Sequence, residues 1–221
     1  MIKSVVWSSM IDYPEQISTV LFVGICNWKC EFCHNIKLSN ESVIDFNMIL
    51  QKLIQRKKLI NHIVISGGEC TCWNELSNII KVLKENDFKI GIHTNGSNHN
   101  WLEQNIKDID FIGMDIKTSF EKYNNITQVE INKEELIKSI NLIINSNKQY
   151  EFRTTLYPKY VNQYDCINIS KFLSNKNVKE YVLQQFDNSN IEDCHVIPYS
   201  NNEIQNILTE CNKIIPTKLR S

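Results

Sequence analysis

Apolar positions recur along the chain in two alternating patterns. Short runs rich in apolar and β-branched residues mark strands at Thr19–Val23, His62–Ser66, Lys89–His93, Phe111–Ile116, Tyr150–Leu156 and Lys179–Gln184. Helical spacing fills the gaps between them. Phe46, Ile49, Leu50, Leu53 and Ile54 line one face of a helix over Phe46–Lys58, with Asp45 placed to cap it. Leu76, Ile79, Ile80 and Leu83 do the same within Asn74–Asn86, and further helices are expected at Trp101–Ile106, Glu134–Ile144, Asp165–Leu173 and Asn202–Asn212. Strands alternating with helices predict an α/β fold with a parallel sheet and crossover helices. Six such units are too few for a closed eightfold barrel, so an open or partial (βα)6 TIM-like barrel is expected over residues 1–187. Residues 188–221 are expected to form a C-terminal tail packed on that domain.

In parallel α/β sheets ligands bind at the carboxyl ends of the strands, where loops from several units meet. Those ends carry most of the unusual residues here. Cys26, Cys30 and Cys33 follow the first strand, Gly67-Gly68-Glu69 the second, Thr94-Asn95-Gly96 the third, and Asp115-Ile116-Lys117 closes the fourth. The sheet logic therefore predicts one site built from four motifs.

The chain has 221 residues, 24 basic and 25 acidic, for a net charge of −1. It is long enough for one large domain. With no strong net field and no basic patch, neither nucleic acid nor membrane is an expected partner; Arg56-Lys57-Lys58 reads as a solvated helix end. The first residues lack a signal peptide's apolar core, and nowhere do eighteen apolar residues run together. A cytoplasmic location is expected, where eight cysteines are metal-binding, catalytic or buried rather than disulfide-bonded.

The spacing Cys26-x3-Cys30-x2-Cys33 lets one loop offer three soft thiolates, which select an iron–sulfur cluster or zinc. A 4Fe-4S centre takes four cysteines; three would leave one iron open. Two other readings stand beside this one, a zinc knuckle completed by His34 and a disulfide staple. Gly67-Gly68 permits close backbone approach but is in isolation a turn. Asp115 and Lys117 point to the same side of their strand, either as a surface pair or as a ligand contact. Arg153 suits a carboxylate or a buried acid such as Glu69. Cys70, Cys72, Cys166, Cys194 and Cys211 lack clustered spacing and read as small buried hydrophobes, with a second cluster or redox pair as the alternative. His34 and His93 stay unassigned, as hydrogen-bonded structural groups.

The cysteine motif, with Phe32 before its last cysteine, and Gly67-Gly68-Glu69 one strand later resemble the radical S-adenosylmethionine superfamily. Ser9-Met10-Ile11-Asp12-Tyr13-Pro14, Cys33-His34-Asn35, Thr94-Asn95-Gly96, Met114-Asp115-Ile116-Lys117 and Leu183-Gln184-Gln185-Phe186 look like the glycyl-radical-enzyme activases, most like the anaerobic ribonucleoside-triphosphate reductase activating proteins. The resemblance covers most of residues 9–187. It implies the partial barrel of the radical SAM type, a single 4Fe-4S cluster on Cys26, Cys30 and Cys33, and S-adenosylmethionine on the open iron. It also implies cofactor contacts from Phe32, Gly67, Gly68, Glu69, Asn95, Asp115 and Lys117, with Lys117 near the cofactor's carboxylate or ribose; Arg153 is a further candidate contact by its own chemistry, and Asp187 could accept from ribose hydroxyls. The implied reaction is reductive cleavage of S-adenosylmethionine to a 5′-deoxyadenosyl radical that takes a hydrogen atom from a glycine. The implied partners are a glycyl radical protein and an electron donor such as flavodoxin or ferredoxin.

Several positions depart from the family pattern. Ile25 stands where Gly is usual, Cys70 where Pro is common, His93 where one branch has a cation-binding Asp, and Asp187 where that branch has a histidine near the ribose. Residues 34–66 leave no room for a ferredoxin insert. Rival readings are a radical S-adenosylmethionine enzyme acting on another peptide or nucleotide, and a non-catalytic zinc-binding module.

Overall fold

A computed structural model describes residues 1–189, 191 and 195–220. The chain forms two compact units, one of Met1–Asn27, Asn35–Gly113 and Glu134–Tyr150, the other of Trp28–His34, Met114–Lys133 and Glu151–Ser221.

In the first unit β1 (Ile2–Tyr13) and β2 (Gln16–Val23) form an antiparallel hairpin, with Glu15 at φ 60° in the turn. Strands β3 (His62–Gly67) and β4 (Lys89–Thr94) follow, each parallel to its predecessor, and the order runs on to β5 (Phe111–Asp115). Helices α1 (Phe46–Arg56) and α2 (Leu76–Glu85) are the crossovers. Val20, Leu21, Ile63, Val64, Ile65, Ile90 and Ile92 are fully buried. Strands covered on both faces read as continuous apolar runs, which is why β2 to β4 were visible in the sequence. Tyr13 packs with Val20, Val64 and Phe111, its ring 5.1 Å from that of Phe111. Helix α3 (His99–Asn105) and most of α5 (Lys133–Asn145) complete this unit.

In the second unit the end of β5 is followed in the sheet by β6 (Gln149–Thr155), β7 (Tyr181–Gln184) and β8 (Thr217–Arg220), with β7 parallel to β6 and β8 parallel to β7. Helices α4 (Tyr123–Thr127), α6 (Gln163–Ser174) and α7 (Asn201–Asn212) belong here. Both long helices open on capping boxes, Asn162 with Asp165 and Ser200 with Glu203, which satisfy orphan N–H groups reciprocally. Cys166, Ile169, Ile204, Ile207 and Cys211 are buried where α6 and α7 pack.

The six strands expected from the sequence are β2 to β7, and the expected helices are present to within a few residues. Two strands were not expected. The pairing of β1 slips register between Ile2 and Ser4, Val6 and Ser9, and Ser9 and Tyr13; such irregularities re-aim side chains and erase the alternation that marks a strand. The tail holds β8 as well as the expected helix. Its Thr-Lys-Leu-Arg sequence is short and charged, as edge strands are.

Candidate functional site

In the first unit the end of β3 is fastened to the chain that leads into the cysteine loop. Gly67 has φ 110°, and the N–H groups of Gly68 and Glu69 donate to the carbonyls of Val23 (2.8 Å) and Ile25 (2.7 Å). A Cβ on Gly68 would collide with the Ile25 carbonyl and crowd the Cβ of Cys26. The double glycine thus lets two backbones touch immediately before the first thiol.

Glu69 has no exposed surface. Its carboxylate accepts from Thr71 N–H (3.1 Å), Thr71 Oγ1 (2.6 Å), Thr94 Oγ1 (2.7 Å) and Asn95 N–H (2.5 Å). Burial pushes its carboxyl above the usual range, while the Asn95 and Thr71 donors oppose that shift. The ends of β3 and β4 are joined through this one side chain. Asn95 in turn donates to Asn27 Oδ1 (3.0 Å), Asn27 donates to Ser97 Oγ (2.8 Å), and Asn35 donates to the Gly67 carbonyl (2.7 Å). Both flanks of the cysteine loop that lie in this unit are therefore tied to strand ends. His93 is buried, with Nδ1 3.2 Å from Ser66 Oγ and Nε2 3.0 Å from the Asp12 carbonyl, so it holds the β1 hairpin.

In the second unit the loop segment Trp28–His34 is clamped along its length. Trp28 packs edge-on against Tyr123 at 6.0 Å, and Lys29 N–H donates to the Thr127 carbonyl (3.0 Å). Cys33 N–H donates to the Cys30 carbonyl (3.2 Å), closing a turn. Phe32 stacks on Tyr157 at 4.9 Å. Glu31 accepts from Lys159 Nζ and the Tyr157 and Tyr160 hydroxyls, which hold its carboxyl below the usual range, Lys159 foremost. His34 stacks on Phe186, and its Nε2 lies 2.6 Å from the Asp187 carbonyl.

Lys117 pairs with Asp115 at 2.8 Å, as their shared strand face predicts, and its ammonium lies 5.5 Å from the Phe32 ring centre. Burial would lower this ammonium's pKa, but Asp115 and the Cys30 and Cys33 sulfurs outweigh it, and the group stays protonated well above the ordinary lysine range. Arg153 forks onto Asp115 from Nε (3.0 Å) and Nη2 (2.9 Å). The Asp187 carboxylate accepts from Ser189 N–H (2.9 Å) and Oγ (2.8 Å), one bond on each oxygen. Phe32, Asp115, Lys117 and Arg153 thus stand together in this unit, and Gly67, Gly68, Glu69 and Asn95 in the other.

Cys26 is exposed, Cys30 and Cys33 are half-buried, and no disulfide joins any of the three. Among the described residues no three Cys, His, Asp or Glu side chains converge at metal-binding geometry. By the chemistry of the donor set, three soft thiols outside any disulfide, on a loop tied down at both ends, fit an iron–sulfur cluster. Cys70, Cys166 and Cys211 are buried, as small hydrophobes are, while Cys72 is half-buried with its thiol pushed up to about 11 by burial; Cys194 lies outside the described residues. Sequence reasoning missed the grip on Glu31, since Tyr157 and Lys159 lie more than a hundred residues downstream with no local signal. Asn27 and Asn35 had a signal, as amides flanking the thiols.

A model described as the radical SAM superfamily matches residues 20–164. A Methanocaldococcus jannaschii protein named as a glycyl-radical enzyme activating enzyme is 33% identical over 196 residues, which cover 85% of this chain and 80% of that one. The pyruvate formate-lyase-activating enzyme of Clostridium pasteurianum is 29% identical over 124 residues, 52% of each chain. Among solved structures, Streptococcus suis SuiB bound to S-adenosylmethionine superposes with a TM-score of 0.64 at 15% identity, covering 90% of this chain and 48% of that one. The chain spans about half the length of SuiB and shares its fold, an α/β partial (βα)6 barrel.

Proposed function

The chain belongs to the radical SAM superfamily and to its glycyl-radical enzyme activating group, and from that premise we propose that its substrate is anaerobic ribonucleoside-triphosphate reductase. Its cofactors are those of the superfamily, a 4Fe-4S cluster and S-adenosylmethionine. Bound together, they supply one-electron cleavage of S-adenosylmethionine and the abstraction of a hydrogen atom from glycine.

In this reading Cys26, Cys30 and Cys33 hold three irons. Lys117 and Arg153 present cations to the cofactor's carboxylate, and Asp115 balances their charge. Phe32 gives the cofactor an apolar wall, Gly67, Gly68, Glu69 and Asn95 set the backbone against it, and Asp187 accepts from the ribose. The choice of reductase rests on Ser9–Pro14 and Leu183–Phe186, a flavodoxin or ferredoxin supplies the electron, and the setting is the cytoplasm. No described helix is long and apolar enough to cross a membrane.

The observation that carries the reading is the loop, three cysteines at Cys-x3-Cys-x2-Cys spacing whose flanking amides, Asn27 and Asn35, are each tied to a strand end. Anaerobic reconstitution is expected to yield about four irons per chain and visible absorption that dithionite bleaches. Changing Cys26, Cys30 or Cys33 to Ala should abolish both, together with cleavage of S-adenosylmethionine. Mixing the reduced protein, S-adenosylmethionine and the reductase should raise a glycyl doublet in electron paramagnetic resonance. Cleavage without the doublet would move the substrate elsewhere, and a colourless zinc protein would end the proposal.

A further inference from the structure

Glu31 sits between two of the thiols, where a loop residue has no structural need to be charged. Its carboxylate is nonetheless gripped from three sides. Lys159 Nζ reaches both oxygens, at 2.7 and 2.8 Å, the Tyr157 hydroxyl donates to one at 3.2 Å, and the Tyr160 hydroxyl to the other at 3.3 Å. All three partners lie on one turn after β6, held by Tyr160 and Val161 N–H groups donating to the Tyr157 carbonyl at 3.1 and 2.9 Å. Tyr157 is buried and also stacks on Phe32, so a single side chain holds two successive loop residues. Its ring packs in turn against Phe186 at 4.9 Å.

We propose that Glu31 is a positioning residue that fastens the Cys30–Cys33 turn to the turn after β6 through Lys159, Tyr157 and Tyr160, so that the backbone carrying these two thiols is already fixed when metal arrives. The inference rests on the cluster assignment above, and it deepens it. A loop that closes only around its ligand must lose conformational freedom at that moment, which weakens binding; one already closed does not. An isolated ion pair as exposed as this one, with side chains 38% and 46% accessible, would contribute little. Four bonds to one carboxylate, two of them from a cation, are stronger than that.

The test compares Glu31→Ala, Lys159→Ala and the double charge swap Glu31→Lys/Lys159→Glu in the full chain. In metal-free protein, amide hydrogen exchange over residues 29–34 is expected to quicken by about tenfold in each single variant, with exchange in β2–β4 unchanged. In reconstituted protein, bleaching of the visible absorption by an iron chelator should quicken in the same order. The swap is expected to recover most of both losses, because it restores an ion pair that a purely structural loss of packing would not restore. Single variants that match the parent in both assays overturn the proposal, and so does a swap no better than either single variant. The exchange assay needs no metal, so a chain that fails to assemble a cluster would refute the cluster assignment while the role of Glu31 was still being read.

Discussion

A carboxylate without solvent contact costs several kcal/mol to bury unless donors surround it, and Glu69 meets that condition with four bonds from Thr71, Thr94 and Asn95. Gly-Gly-Glu was legible as a special element because glycines at a strand end are chemically conspicuous. That its glycines touch Val23 and Ile25 was not legible, since nothing in a sequence says which backbone comes near. Glu69→Gln tests the donor nest. The amide would turn an NH2 toward groups that are themselves donors, leaving at least one buried N–H unpaired, at a cost of about 1–3 kcal/mol. Urea unfolding should show that loss with an unchanged m-value. An equally stable variant would mean that the nest is not what holds the strand ends together.

At the scale of elements, caps and crossovers were readable and ladder irregularities were not. Asp45 was expected to cap α1 and does, accepting from Met48 N–H at 3.1 Å, because capping is decided within four residues. The slipped register of β1 depends on a partner strand and leaves no local mark. Asp110 is a joint of the second kind. It accepts from Ile90 N–H at the start of β4 (2.8 Å) and from Lys84 of α2 (2.9 Å), and Lys89 lies 3.6 Å away. Burial raises its carboxyl, yet the Ile90 and Lys84 bonds outweigh that and leave it below the ordinary aspartate value. A native pKa below the unfolded one stabilises the fold above the unfolded value, about 3.9, and the contribution is lost as pH falls through the native value. Asp110→Asn should therefore cost about 1–2 kcal/mol near pH 6, and the gap from the parent should narrow toward pH 3. Urea titrations at both pH values check the sign; a gap that widens on acidification would show that the carboxylate is not stabilising.

For the whole molecule, strand order was legible because β2 to β7 repeat one motif and each strand lies beside its sequence neighbour, so reading the chain in order reads the sheet in order. Motifs carried by adjacent residues, such as the three thiols or Asp115 with Lys117, were legible for the same reason. Glu31 with Lys159 was not, because its two halves are brought together only by folding. The C-terminal segment shows the same division, since its helix was periodic but β8 was too short and too charged to announce itself. The contacts of β8 are nevertheless extensive. Tyr181 and Gln185 N–H groups donate to the Pro216 and Arg220 carbonyls at 2.9 and 2.8 Å, Asn212 bonds both the N–H and the carbonyl of Thr217, and Arg220 pairs with Glu151 at 2.7 Å. Ending the chain after Ile215 would strip β7 of one of its two neighbours and leave Glu151, with only 13% of its side chain accessible, without its closest cation. Removing one partner of a largely buried pair costs about 3–5 kcal/mol, and an uncovered strand edge invites association. The truncated chain should melt roughly 10 °C lower, at about 2–4 °C per kcal/mol for a chain of this size, and elute partly as aggregates in gel filtration. Arg220→Ala alone should account for only part of that shift, because it spares the ladder. If truncation leaves the melting temperature in place, β8 is an appendage and the second unit is complete at α7.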